Sequence, residues 1–254
     1  MGEVILRLEG ITKDFSGLRA VDGVDLTVEK GSVIGVVGPN GAGKTTLFNM
    51  ISGIFPPSSG RIFFEERDIT GLSAFDIAIL GIGRTFQVVR PFSELTVLEN
   101  VLVAYGSKQH GSFFSSLSLW RKESYVEEVR EFLEETSLWE FRDRKAKTLP
   151  LGYQRRLEIA RVLALSPSVL LMDESFSGLN FDEMDELKAL VRKLNRGGLT
   201  IIIIEHNMPV VMELCKRVSV LNYGRKIAEG TPEEVISNQE VIDAYLGTGG
   251  VKQC

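Results

Sequence analysis

Cysteine and histidine are scarce in this sequence, with two of each among 254 residues. Cys215 and Cys254 lack the paired spacings of a disulfide framework or a cysteine metal site. Reduced thiols in a cytoplasm are therefore the expectation. Long apolar runs are missing as well. Stretches such as Val169–Met172 and Ile201–Ile204 are far short of the roughly 20 residues that cross a bilayer. The opening MGEVILRLEG has no charged segment ahead of a long apolar stretch, so no signal peptide is expected. A soluble chain is expected, and work at a membrane would require other chains to do the spanning. An excess of positive charge is also lacking: 29 Lys and Arg face 34 Asp and Glu, for a net charge of −5. The basic run Arg144–Lys147 is too short to offset that balance, so no nucleic-acid partner is expected.

What is present is ordinary globular composition, 44% hydrophobic and 25% charged, which excludes disorder and coiled coil as starting points. The length suits one large α/β domain or a domain carrying a smaller subdomain. Val4–Glu9 and Val24–Val28 read as strands by alternation and β-branched content. Val33–Val37 is a continuous apolar run fit for a strand buried on both faces, and Thr45–Ser52 reads as a helix. Pro56–Gly60 is a loop before a strand at Arg61–Phe64. From about Leu72 to Pro150 the pattern turns helical and poor in strands, with helices over Val97–Ala104 and Tyr125–Leu133. Between them Gly106–Ser118 reads as an exposed loop carrying Phe113 and Phe114. After Pro150 an α/β rhythm returns. Helices are expected at Gln154–Leu165, Asp182–Leu194 and Pro232–Leu246, and strands at Val169–Met172, Leu199–Ile204, Val218–Leu221 and Lys226–Ala228. Buried strands alternating with helices indicate a mainly parallel sheet covered on both faces.

Gly38-Pro39-Asn40-Gly41-Ala42-Gly43-Lys44-Thr45, followed by Thr46, fits the phosphate-binding loop pattern. Its glycines let the backbone curl so that successive N–H groups point at phosphate oxygens. The helix after it adds the positive end of its dipole. Lys44 would hold the β- and γ-phosphates, and the Thr45 hydroxyl would reach Mg²⁺. Val169–Met172 ends in Asp173 and Glu174. At the carboxyl end of a strand Asp173 sits where a second Mg²⁺ contact is needed, and Glu174 can act on the attacking water as a general base. Alone, that acidic pair would read as a solvated turn; beside the phosphate loop it reads as a nucleotide hydrolysis site.

With these motifs in place the whole chain resembles an ABC-type ATPase. The resemblance implies an α/β P-loop NTPase fold with a mainly parallel core sheet, an antiparallel β subdomain and a helical subdomain. On that reading residues 1–86 and 151–254 form the catalytic core with the β subdomain, and residues 87–150 the helical one. Arg84-Thr85-Phe86-Gln87 resembles the Q-loop, in which Gln87 approaches Mg²⁺ or the water and senses the membrane subunit. Ser177-Gly178-Leu179-Asn180 resembles the D-loop that crosses to a second subunit, and His206 after Ile201–Ile204 and Glu205 resembles the switch histidine at the γ-phosphate. Phe15 is placed like the aromatic on which adenine stacks. His110 is given no role.

The family's Leu-Ser-Gly-Gly-Gln signature is altered here to Leu149-Pro150-Leu151-Gly152-Tyr153, ahead of Gln154-Arg155-Arg156. Pro150 has neither the hydroxyl nor the N–H of the serine it replaces. This form resembles the branched-chain amino acid importers, as do Phe92–Val101, the insert around Gly106–Trp120 and the ending Ala244–Gly247. Relatives importing urea or short amides share these features. The resemblance implies two ATPase subunits, identical or different, closing head to tail around two ATP molecules. Leu149, Gly152, Tyr153 and Asn180 of each subunit would then meet the nucleotide of the other. It also implies transmembrane permease subunits as partners and a place on the inner face of the cell membrane. A regulatory ATP-binding module, a soluble ABC protein and an exporter subunit are the rival readings. Asp173-Glu174 and His206 speak against the first, and the absence of a second ATPase half against the second.

Overall fold

The computed structural model describes residues 2–87, 91–110 and 123–246. Within them the strands sort into two sheets by burial pattern. Strands β3 (Val33–Val37), β7 (Val169–Asp173) and β8 (Thr200–Ile204) are buried at every residue, as apolar runs in a sheet covered on both faces must be. They pair in parallel, flanked by β6 (Ile82–Arg84), β9 (Arg217–Asn222) and β10 (Arg225–Gly230). The order is β10-β9-β3-β8-β7-β6, with only β10 antiparallel to its neighbour. The second sheet is antiparallel, ordered β2-β1-β4-β5 from β1 (Val4–Phe15), β2 (Leu18–Glu29), β4 (Ser59–Phe64) and β5 (Arg67–Asp68). Helix α1 (Lys44–Ile51) lies between the sheets, its Leu47, Phe48 and Ile51 in a core shared by both. Helix α2 (Ala74–Leu80) leads into β6.

The first two strands run to 12 residues each, longer than alternation alone indicates. The breaks in the pattern at Gly10 are bulges: the register shifts between Leu8 and Ile11 while pairing continues. Strand β6 falls inside the stretch that reads as helical. Three residues at a sheet edge carry too little periodicity to be seen in sequence.

The helical subdomain is built from α3 (Val97–His110), α4 (Glu123–Glu135) and α5 (Leu151–Leu163). Helix α3 carries on through residues 106–110, where a loop is expected from glycine and serine content. The Ser107 hydroxyl bonds the Ala104 carbonyl at 2.7 Å, so it is satisfied within the helix. The remainder of that loop, with Phe113 and Phe114, lies outside the described residues, as do Gly247 and Cys254. Helix α5 starts at Leu151, three residues before the expected Gln154. Pro150 takes the N-cap with an extended ψ of 158°, and its carbonyl accepts the first helical bond from Gln154 N at 3.0 Å. The helix works on two cores. Leu157 and Ala160 pack with Val97, Val101 and Leu133, while Ile159, Val162 and Leu163 pack on the parallel sheet. It thus packs against the neighbouring helices and the parallel sheet alike. Helices α6 (Phe181–Arg196), α7 (Met208–Leu214), α8 (Pro232–Ser237) and α9 (Gln239–Leu246) complete the chain. Among the described residues no helix is long and apolar enough to cross a membrane.

Candidate nucleotide site

The carboxyl ends of β3, β6, β7 and β8 deliver the phosphate loop, Gln87, Asp173-Glu174 and His206 to one edge of the parallel sheet, where open α/β sheets bind ligands. The turn after β3 depends on glycine. At Gly38, with φ 149°, a Cβ would stand 2.0 Å from the Leu221 carbonyl oxygen. At Gly43, with φ 100°, it would meet the Ala20 oxygen at 2.5 Å. Gly43 caps α1 without a side-chain bond, so the helix's first N–H groups are left for an anion. Lys44 folds back over the loop, its Nζ donating to the carbonyls of Gly38 at 2.8 Å and Pro39 at 2.9 Å. Burial pulls the Lys44 ammonium below the ordinary lysine range, and the charges of Glu174 and Asp173 pull it back up.

A cavity of about 480 Å³ lies over this loop. Phe15, Asn40, Gly41, Ala42, Gly43, Lys44, Thr45, Thr46, Glu174 and His206 line it, so residues far apart in sequence meet in one place. Phe15 is 41% exposed at its mouth and packs edge-on against Phe55, ring centres 5.4 Å apart. Tyr223, in the turn between β9 and β10, closes the rim, a contribution without a signal in the sequence. Gly38 and Pro39 contribute from beneath, through the carbonyls that hold Lys44.

Glu174 has the strained backbone of a left-handed residue, φ 48°. Its carboxylate is held on both sides: His206 Nε2 lies 3.0 Å from Oε1, and Gln87 Nε2 donates to Oε2 at 2.6 Å. Asp173 is 2% exposed, and its Oδ2 accepts from the Arg84 guanidinium at 2.7 Å. Burial raises the Asp173 carboxyl above the usual range, opposed first by Arg84. Its Oδ1 is buried and has no hydrogen-bond partner. Thr45, Gln87 and Asp173 line a second cavity of about 420 Å³, which shares Thr45 with the first. A free buried carboxylate oxygen, a hydroxyl and an amide oxygen around one space fit a hard divalent cation such as Mg²⁺.

Leu149, Gly152, Tyr153 and Asn180 lie away from this cavity; none of them lines it. Leu149 is 4% exposed in the helical core, and the Tyr153 ring packs at a tilt against Phe141, ring centres 4.7 Å apart. The Gly152 N–H donates to Glu183 Oε1 at 3.3 Å. Asn180 caps α6, accepting from Glu183 N at 2.9 Å, while Glu183 Oε2 accepts from Asn180 N at 3.0 Å. The side chains presented to solvent here are Leu151 and Phe181, the latter 82% exposed.

Three buried polar residues escape a reading of the sequence. Arg155, on α5, donates to the carbonyls of Phe86 at 3.0 Å and Gln87 at 2.9 Å, tying the signature helix to the Q-loop. Glu205, 3% exposed, accepts from Phe176 N at 3.0 Å, which ties the turn after Glu174 to the turn carrying His206. Arg84 joins α1 to β7. A buried arginine or glutamate has the same letter as a surface one, and only its partners reveal it. At the chain's far end, burial pushes the Tyr245 phenol of α9 above the tyrosine range, and the facing backbone of Gly38 partly offsets this.

With this geometry established, comparison with known proteins gives one consistent result. The ABC transporter family profile matches residues 21–177, and the profile of the branched-chain amino acid ATP-binding cassette transporters matches residues 225–251. The high-affinity branched-chain amino acid transport ATP-binding protein BraF of Pseudomonas aeruginosa is 44% identical over 97% of this chain and 99% of its own length. Among solved structures, an ABC transporter's ATP-binding cassette in its ADP conformation superimposes with a TM-score of 0.86 at 36% identity, covering 96% of this chain and 99% of that one. A dimeric post-hydrolysis cassette bound to ADP and Pi gives 0.78 at 26% identity, covering 90% of this chain and 99% of that one. The fold is therefore that of an ATP-binding cassette, and the chain belongs to the ABC transporter ATP-binding family.

Proposed function

We propose that the chain hydrolyses ATP with Mg²⁺ and thereby powers an importer of branched-chain amino acids. The observation that carries this is the Glu174 carboxylate, held between His206 and Gln87 at the rim of the phosphate-loop cavity. From there Glu174 takes the proton of a water that attacks the γ-phosphate in line with the leaving oxygen. Lys44, released from the carbonyls of Gly38 and Pro39, turns to the β- and γ-phosphates. His206 donates to the γ-phosphate, and the open N–H groups at the start of α1 cradle the β-phosphate. Asp173 Oδ1, the Thr45 hydroxyl and Gln87 would hold Mg²⁺, which neutralises phosphate charge. Phe15 stacks on adenine.

A second ATPase subunit completes the site. The exposed Leu151 and Phe181 flank Gly152 and Asn180 on a face suited to such a partner, where the dipole of α5 would favour the γ-phosphate of the opposite nucleotide. The Q-loop, clamped by Arg155 to α5, passes closure to permease subunits, so the chain works on the inner face of the cell membrane. The transported class rests on the similarity to BraF and on the C-terminal profile match. Uptake of labelled leucine by proteoliposomes holding this chain with its permeases, binding protein and second ATPase tests the proposal. ATP-dependent uptake that fails with Glu174→Gln is expected; equal uptake with the variant would overturn the role of hydrolysis here. ATP hydrolysis without leucine uptake would overturn the cargo.

A further inference from the structure

We infer that Arg84 is a positioning residue that sets the gap between the two halves of the Mg²⁺ site; this rests on the ATPase reading of that site. The two halves come from different elements. Thr45 stands at the start of α1, and Asp173 ends β7. Strand β7 and α1 are joined at this level by one buried guanidinium, only 6% exposed. One arm, NH1, donates to Asn49 Oδ1 and to Ser52 Oγ, each at 2.8 Å and both on or just after α1. The other, NH2, donates to Asp173 Oδ2 at 2.7 Å. The Ser52 hydroxyl spends its own proton on the Phe48 carbonyl at 2.7 Å, which leaves a lone pair aimed at Arg84. The ring of Phe48 on α1 stands 5.7 Å from the guanidinium carbon, and that of Phe86, two residues beyond Arg84, stands 5.3 Å from it.

A planar fork of fixed donors cannot serve three acceptors unless they keep their spacing. It therefore fixes three things together: the distance from α1 to β7, the rotamer of Asp173, and which of its oxygens is left for a cation. Oδ2 is taken and Oδ1 is free. A lysine at this position could reach one side but not span both. The sequence places the arginine just ahead of Thr85, whose hydroxyl lies 2.9 Å from that of Ser175. The bracket thus sits where the Q-loop leaves the sheet.

The test is equilibrium binding of a fluorescent non-hydrolysable ATP analogue by the full chain, first in EDTA and then across a Mg²⁺ titration. Arg84→Met is expected to raise the half-saturating Mg²⁺ at least about 10-fold while leaving affinity in EDTA within about 2-fold, the size of effect that supporting residues have at metal sites. Arg84→Lys should fall between. Asn49→Ala, which cuts only the α1 side, should raise it roughly 3-fold, and it decides the matter if Arg84→Met does not fold. An unchanged Mg²⁺ dependence in a folded variant would overturn the inference. So would an equal loss of affinity with and without Mg²⁺, which would mark Arg84 as general support for the phosphate loop. A wild-type chain that binds no nucleotide would overturn the proposed function, and the bracket with it.

Discussion

His206 Nε2 lies 3.0 Å from Glu174 Oε1, although the two residues follow different strands and are 32 positions apart. The contact spans β7 and β8, neighbours in the parallel sheet, and the Glu174 N–H bonds the Ile204 carbonyl at 2.9 Å just before it. In the proposed mechanism this histidine orients the base and turns to the phosphate. His206→Ala is expected to lower ATP turnover by about 10²–10³-fold with ATP affinity little changed, as removal of a proton-transfer or charge-stabilising partner does. Steady-state phosphate release checks this. Equal losses in kcat and in binding would instead mark His206 as part of the fold.

Phe15 packs edge-on against Phe55 at the cavity mouth, where the proposed function stacks adenine on it. Phe15→Ala should cost about 1–2 kcal/mol of nucleotide binding, roughly 5- to 30-fold in Kd. Phe15→Trp should restore it. The loss should apply to ADP as to ATP, because the base is common to both.

Arg155 is 5% exposed and satisfies two carbonyls of the Q-loop. Arg155→Met leaves both unpaired and removes a buried charge from beside Glu158. A loss of about 2–4 kcal/mol is expected, lowering Tm by roughly 5–15 °C. Turnover should fall further than the loss of folded protein explains, because Gln87 loses its anchor next to Glu174.

Cys215 is buried against the sheet, and burial pushes its thiol up to about 12 from 9.0. The folded state thus keeps its proton where the unfolded state has lost it. The stabilisation is complete below pH 9 and is lost as pH rises toward 12, at up to about 1.4 kcal/mol per unit. Denaturant melts at pH 8, 9.5 and 10.5 should show this extra slope in the wild type and not in Cys215→Ala. In a Cys254→Ser background, Cys215 should resist iodoacetamide at pH 8 until the protein is unfolded.

The site was legible in sequence where chemistry requires a residue type at a fixed spacing. Gly38 to Thr46, Asp173 and Glu174 could be named because a curled loop or the end of a buried strand leaves few other residues able to serve, and His206 through the family resemblance. All but Gly38, Pro39 and Asp173 then line the one cavity, and those three touch Lys44, Arg84 or the cation space beside it. Strands β3, β7 and β8 were legible because burial on both faces writes an unbroken apolar run. What escaped depends on partners that sequence does not list. Pro150 reads as a break before a helix at Gln154, yet it caps a helix from Leu151, since proline fits where no N–H is needed. Leu149 and Tyr153 read as contacts to a second subunit, while their side chains turn into the helical core. Arg84, Arg155 and Glu205 are charged letters whose burial and partners the sequence does not show.

The most direct measurement is ATP turnover by the purified chain beside Glu174→Gln, with elution volume recorded in ATP and Mg²⁺. Removal of the base should cut turnover at least about 100-fold, leave ATP binding intact and shift the variant to twice the monomer mass. A Glu174→Gln variant that hydrolyses ATP as fast as the wild type would contradict the role given to this carboxylate.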